Sequence, residues 1–588
     1  MDEQVEIPSP LEIAAARPMP WHRRVIQGLL YGRNVDRHRK AKARIGLAIL
    51  GFSIVYMIIA AKLVVFAVAP ESHVARRGRA QDAVATARPD ILDRRGRILA
   101  TDVKMPSLFA EPRRIIDVDE AIELLTAVMP DLDTNELRER LGSKRGFVWL
   151  KREITAKQQQ EIHRLGIPGV GFLTENKRVY PSGPEVSHVI GHVNIDNQGI
   201  AGLEKWLDSR GLADLHLAGF ATDRQQKPIE LAVDLAVQHA LREELMAART
   251  KFKAKATAGV VLDVKSGEIL AMVSEPDYDP NNPREALDPD RINRLTTGVY
   301  EMGSTFKVFT VAMALDSGKI SLASTFDARQ SLRYGRFAIK DDHPLGRMLT
   351  VPEVFTYSSN IGAARMALSL GVDNHRAFLG RLGQLNRLRT ELPESAEPIL
   401  PRRWGELNTV TIAFGHGLSV APLQALMGVA ATMNGGYLIP PTFLKRSPEE
   451  AMQVGKQVLK PDTSLKMRYL MRLNAEIGTG KKADVNGYYI GGKTGTAEKV
   501  VGGRYAKNKL LTDFMAVLPA DDPKYLLLIM LDEPQAAPDT HGFATAGWNA
   551  APTASKVIAR VGPLLGLEPR FDLPTADRLI LASARESR

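Results

Sequence analysis

The chain contains no cysteine. That excludes disulfides, thiolate metal sites and thiol catalysis. It also fits a compartment outside the inner membrane, although cytosolic chains can lack cysteine too. There is no His-Glu-x-x-His and no EF-hand loop, so the sequence implies no metal and no cofactor. Fixed-period repeats and low-complexity tracts are absent as well. What remains is a chain of 588 residues, 44% hydrophobic and 25% charged, enough for roughly two to four folded domains.

Long apolar runs are scarce, and the one that occurs is informative. Residues 45–61 carry no charge, and after Lys62 the apolar character resumes, so that 45–69 could cross a bilayer as a helix. A buried core helix would show a polar stripe, and this stretch shows none. Ala67-Val68-Ala69 resembles a signal-peptide cleavage site. However, the run exceeds the usual h-region and 44 residues precede it, which favours an uncleaved signal anchor. Arg33, Arg37, Arg39, Lys40, Lys42 and Arg44 lie before it; Arg76, Arg77, Arg79 and Arg88 lie after it. This modest bias predicts a cytoplasmic N-terminus and a large C-terminal portion outside the cytoplasm. The net charge of +11 is concentrated around this segment, so it reads as a membrane-surface signal before a nucleic-acid one.

Beyond the anchor two textures follow. Residues 70–230 are charged, with short alternating stretches and frequent Gly and Pro, as in an elongated β-rich module. Residues 88–102 read as two short strands around a glycine turn, and 175–193 as strand, turn and short helix. From 231 to 570 helical and strand patterns mix. Helices are expected over 231–250, 306–318 and 554–565, strands over 258–276 and a buried strand over 523–534. Residues 571–588 read as a peripheral tail. The predicted class is α+β, with 1–44 as a basic cytoplasmic tail and 45–69 as the anchor.

Three polar signatures stand in a fixed order in the mixed region: Ser304-x-x-Lys307, Ser358-x-Asn360 and Lys493-Thr494-Gly495, the last followed by Thr496. Singly each is weak, since Ser-x-x-Lys arises about once by chance in a chain this long. Ser304 alone could be a helix N-cap, Ser358-Ser359-Asn360 a polar turn and Lys493 a solvated charge. Together they fit a chemistry. Ser304 at a helix start meets the positive end of the dipole, and Lys307 returns to the same face. A desolvated neutral lysine can take the serine proton. Ser358 can relay a proton, Asn360 can hold an amide, Lys493 can face a carboxylate, and Thr494, Gly495 and Thr496 can line the ligand. A second Lys-Ser-Gly, at 265–267, precedes Ser304 and sits at a hairpin turn, so it is read as structural.

A competing pattern shares Lys493. Residues 487–494 satisfy Gly-x4-Gly-Lys-Thr, the phosphate-binding loop of nucleotide hydrolases. That loop requires a helix opening at the Lys-Thr. The residues after 494 lack a helical apolar stripe and read instead as a continuing strand.

The ordered triplet of motifs is the set carried by penicillin-binding proteins and class A β-lactamases. The chain from about 40 to 565 resembles class B penicillin-binding proteins, most closely the cell-division (FtsI-like) type. ILDRRGRILA, RVYPSG (178–183), His188, Gly191 and GLEKWLD (202–208) resemble the pedestal, and AFGHGLSVAPLQ (413–424) and GGKTGTAEKV (491–500) the catalytic domain. Met302 departs from it, because many relatives have proline there.

The resemblance implies a single membrane anchor, a β-rich pedestal of the dimerisation type and a transpeptidase domain with a five-stranded antiparallel sheet flanked by helices. It implies D,D-transpeptidation of peptidoglycan stem peptides at Ser304, an oxyanion hole from the Ser304 and Thr496 amides, and acylation by β-lactams. Partners implied are a polytopic membrane glycosyltransferase of the FtsW type, because nothing before residue 230 resembles a glycosyltransferase, and division regulators. An elongation-type enzyme shares all three motifs. A β-lactam sensor would need a signalling domain, and a β-lactamase needs neither pedestal nor anchor.

Overall fold

A computed structural model describes residues 37–68, 87–209, 227–335 and 337–579. The chain forms two units, divided near residue 82. The first holds helix α1 (Arg37–Val68). Its stretch Ile45–Lys62 is long and apolar enough to cross a membrane, and every residue of that stretch is exposed. At 1.5 Å per residue it covers about 27 Å, close to the hydrocarbon thickness of a bilayer.

The second unit begins with a sheet built from β1 (Ile91–Leu92), β2 (Ile98–Ala110), β3 (Val148–Lys151), β4 (Val170–Val179) and β5 (Ile229–Glu230). The glycine turn read at 88–102 separates β1 from β2, which pair antiparallel. Strand β4 pairs antiparallel along β2, from Thr101 opposite Val179 to Ala110 opposite Val170. Helix α2 (Gly202–Ser209) carries Glu204, whose fully buried carboxylate ties β4 to the segment just before β1. Its oxygens accept from Arg88 Nε at 2.7 Å and Arg178 Nε at 2.6 Å, and Arg178 also reaches Asp102 at 3.1 Å.

The mixed region follows with α3 (Leu235–Lys251), β6 (Ala256–Asp263), β7 (Ile269–Glu275), α4 (Lys307–Asp316), β8 (Leu332–Tyr334), β9 (Phe337–Ile339), α5 (Val351–Thr356), α6 (Asn360–Leu370), α7 (Pro422–Met433), α8 (Pro461–Ile477), β10 (Gly491–Val501), β11 (Arg504–Leu518), β12 (Tyr525–Asp532) and α9 (Ala550–Leu564). Five strands form an antiparallel sheet in the order β10-β11-β12-β6-β7. Its central strand reads LLLIML without a polar break because both faces are covered. Leu526, Leu528 and Met530 point into one core with α4, α7 and α8; Leu527, Ile529 and Leu531 point into the other with α3 and α9.

Residues 571–579, read as peripheral, return over α8. Ala576 is buried and its N–H reaches Glu476 at 3.1 Å, while Tyr469 donates to Asp577 at 3.2 Å. Leu573 and Leu579 pack against the same core.

Candidate active site

The nucleophile turn departs from the expectation. Ser304 does not cap the long helix. It is the second residue of a single 3-10 turn, Gly303–Phe306, and α4 opens immediately afterwards at Lys307. The tighter turn follows from the packing around it. Gly303 has φ +54°, and a Cβ there would stand 2.5 Å from the carbonyl oxygen of Thr496 on β10. Behind it, the Gly303 N–H donates to the Gly415 carbonyl at 3.2 Å, inside the AFGHG segment. Met302, at φ −85°, is fully buried, and its carbonyl accepts from Thr305 Oγ1 at 2.7 Å.

Three elements converge on Lys307, which is fully buried. Its Nζ lies 2.9 Å from Ser304 Oγ, 3.0 Å from Ser358 Oγ, 2.5 Å from the Ser358 carbonyl and 2.7 Å from Asn360 Oδ1. No carboxylate is among these partners. Burial, and then the charge of Lys493, press its pKa well below the ordinary lysine value, while Asp341 and Asp342 oppose the shift.

The second element is the turn between α5 and α6. Thr350 and Glu353 form a capping box that starts α5. Ser359 caps α6 by accepting from the Gly362 N–H. Between them Ser358 stands at φ +58°, a left-handed conformation that costs a non-glycine residue about 1–3 kcal/mol. It is held there from inside, by Lys307 on both its carbonyl and its hydroxyl.

The third element is β10, the edge strand of the sheet. Lys493, fully buried, lies with Nζ 3.1 Å from Ser358 Oγ, so that hydroxyl bridges the two lysines. Burial pushes the Lys493 pKa down to about 7, with Asp513 on β11 opposing it. Thr494 Oγ1 is 2.7 Å from Thr479 Oγ1, and Thr496 Oγ1 accepts from the Ala546 N–H at 3.1 Å. Gly495 faces Asp513 across the ladder, and a Cβ on it would stand 2.2 Å from Asp513 Oδ2. The strand runs unbroken from Gly491 to Val501 and no helix opens at Lys493, so the phosphate-loop geometry is not present. Lys265-Ser266-Gly267 occupies a hairpin turn between β6 and β7, remote in the ladder from β10.

The eight site residues named from the motifs therefore lie on three adjoining elements, with Ser304, Lys307, Ser358, Asn360 and Lys493 in one hydrogen-bonded cluster. Others went unnamed. Asp341 accepts from Ser359 Oγ at 2.7 Å and from the Ile361 N–H at 2.9 Å, and the neighbouring Lys340 carbonyl accepts from Asn360 Nδ2 at 3.0 Å. Thr479, Asp513 and His416 also line the neighbourhood. His416, in the segment 413–424, has its pKa pushed down to about 4 by burial, with Lys307 contributing. Its occurrence beside two close-approach glycines was the only local signal; Asp341 and Thr479 lie in ordinary polar turns.

Comparison with known proteins identifies the family. Residues 257–558 match the penicillin-binding protein transpeptidase domain and residues 83–210 the penicillin-binding protein dimerisation domain. The chain is 39% identical to a probable peptidoglycan D,D-transpeptidase FtsI of Caulobacter vibrioides, with 83% of each chain covered. It is 31% identical to the peptidoglycan D,D-transpeptidase FtsI of Escherichia coli, covering 84% of this chain and 86% of that one. To the stage V sporulation protein D of Bacillus subtilis it is also 31% identical, covering 82% and 79%. The chain belongs to the penicillin-binding protein transpeptidase family.

Proposed function

We propose that this chain crosslinks peptidoglycan stem peptides during septal wall synthesis, through an acyl-enzyme on Ser304. The observation that carries the reading is the buried Lys307 amine, within 3.0 Å of both the Ser304 and Ser358 hydroxyls and without a carboxylate partner. As a neutral amine it takes the Ser304 proton while Oγ attacks the carbonyl of the penultimate D-alanine. The developing oxyanion is met by the backbone N–H groups of Ser304 and Thr496, whose chains touch at Gly303. Ser358, between the two lysines, passes the proton to the leaving D-alanine amine as the C–N bond breaks. A neighbouring strand's amine then attacks the ester and restores Ser304. Lys493 faces the substrate carboxylate, Asn360 and Thr494 hold its amides, and the free edge of β10 accepts an extended peptide as an added strand. β-Lactams acylate the same serine.

The names of the relatives support a division role, and helix α1 supports an inner-membrane anchor with a cytoplasmic N-terminus and a periplasmic catalytic domain. On this reading 1–44 is the cytoplasmic tail, 45–69 the anchor, 70–230 the pedestal, 231–570 the transpeptidase domain and 571–588 the tail. A membrane glycosyltransferase of the FtsW type polymerises the strands. Labelling with a fluorescent penicillin is the test. The wild type is expected to label on the peptide containing Ser304, and Ser304→Ala not at all. A labelled alanine variant overturns the assignment. Sidewall rather than midcell fluorescence of a tagged chain overturns the septal role.

A further inference from the structure

The loop that follows the β8–β9 hairpin reaches the catalytic cleft and makes three hydrogen bonds there. All three go to the turn that carries Ser358 and Asn360. Asp341 divides its carboxylate: Oδ2 accepts from Ser359 Oγ at 2.7 Å and Oδ1 from the Ile361 N–H at 2.9 Å. Ile361 is in the first turn of α6, where backbone N–H groups lack intrahelical acceptors and favour a negative charge. The adjacent carbonyl of Lys340 accepts from Asn360 Nδ2 at 3.0 Å. That contact decides which way the Asn360 amide points. With its nitrogen committed to Lys340, its oxygen faces Lys307 at 2.7 Å.

The Ser-x-Asn turn is therefore gripped from two sides. Lys307 holds it from inside through Ser358 and Asn360. The 340–341 segment holds it from outside through Ser359, Asn360 and Ile361. Ser358, whose left-handed backbone has to be maintained by its surroundings, lies between the two grips. The motif residue Ser359, which no catalytic step uses, acquires a role in this arrangement. It is the N-cap of α6 and the handle by which Asp341 holds the turn.

We propose that Asp341 is a positioning residue for acyl transfer, holding Ser359 and the first turn of α6 so that Ser358 and Asn360 stay in register with Lys307. The proposal rests on the assignment of Ser304 and Lys307 above. It extends the active site to a loop whose sequence, DDHPLG, resembles a solvated turn.

Asp341 also faces Lys307 electrostatically, and so does Asp342 on the same loop. Lys493 from β10 acts on Lys307 in the opposite direction, and His416 from the segment before α7, kept neutral by burial, adds no charge there. The two carboxylates favour the protonated amine. Removing one charge lets Lys307 release its proton at lower pH.

The test is the rate at which a fluorescent penicillin labels the full-length protein, followed against pH. Asp341→Asn keeps the side chain's size and one acceptor, and labelling is expected to slow about 10-fold. Asp341→Ala is expected to slow it about 100-fold. In both, the ascending limb of the pH profile moves to lower pH, which a purely structural loss would not produce. Ser359→Ala removes the Asp341 contact together with the α6 cap, so adding it to Asp341→Asn should slow labelling by less than the product of the two separate effects. If Asp341→Ala lowers the melting temperature, the Asn variant and the double substitution carry the test. Wild-type rates in Asp341→Asn, an unmoved limb, or effects of the two substitutions that multiply would each overturn the proposal. Failure of the wild type to label at Ser304 would instead overturn the underlying assignment.

Discussion

Two of the places where the molecule buries cations treat them oppositely. In the sheet before the mixed region, Arg178 is buried against Glu204 and Asp102, and Arg88 against Glu204 and Asp208. Burial disfavours the Arg178 charge, but the carboxylates outweigh it and its pKa ends above the ordinary arginine value. In the catalytic cleft, Lys307 and Lys493 are buried among hydroxyls, carbonyls and an amide, and each is pushed toward neutrality. A buried cation given carboxylates stays charged and serves as a structural cross-link. One whose hydrogen bonds go to neutral groups, with carboxylates acting only from farther off as Asp341, Asp342 and Asp513 do here, becomes a base, or a charge that can be switched off. Residue type follows the same logic, because arginine cannot be deprotonated in a protein and lysine can.

The largest effect expected from this contrast is at Lys307. Lys307→Arg keeps a positive charge but cannot act as a base. Penicillin labelling should fall by about 10²–10⁴-fold, as for Lys307→Ala. An arginine variant that labels at more than about a tenth of the wild-type rate would mean that charge, rather than proton transfer, is what the position supplies.

Next comes the paired cation. Glu204→Gln leaves Arg88 and Arg178 short of a shared, fully buried carboxylate. Stability should fall by about 3–5 kcal/mol, read from denaturant unfolding. The labelling rate per folded molecule should hold, because none of these groups reaches the cleft. A variant that stays stable but labels slowly would break the division between the two regions.

Much of this was legible beforehand, for identifiable reasons. The strand 525–532 was readable because burial on both faces removes polar alternation. The apolar helix over 45–62 was readable because no polar stripe interrupts it. Ser304, Lys307, Ser358, Asn360 and Lys493 were readable because their chemistry constrains spacing within short segments. Asp341, Thr479 and Asp513 were not, because each acts on a segment 15 or more residues away and has an unremarkable local context. The 3-10 turn at Ser304 was missed for a related reason. Its geometry comes from β10 and Gly415 pressing on Gly303, and nothing within the turn encodes that pressure.

The smallest effect concerns Lys493, and its sign follows from linkage. Its folded pKa, about 7, lies below the unfolded value near 10.5, so between these limits the unfolded chain binds the extra proton. Stability therefore rises with pH across that window, and below about 7 the cost of holding a buried charge is fully felt. Lys493→Met removes that cost. Its melting temperature should exceed the wild type's at pH 7, and the difference should shrink toward pH 10. Lys307 carries the same sign, so the wild-type slope should be reduced in this variant and not abolished. Labelling should fall, since the carboxylate of the ligand loses its partner. A methionine variant less stable than the wild type at pH 7 would mean that the Ser358 hydroxyl and Asp513 compensate the charge. Lys493 would then belong with the paired arginines and not with Lys307.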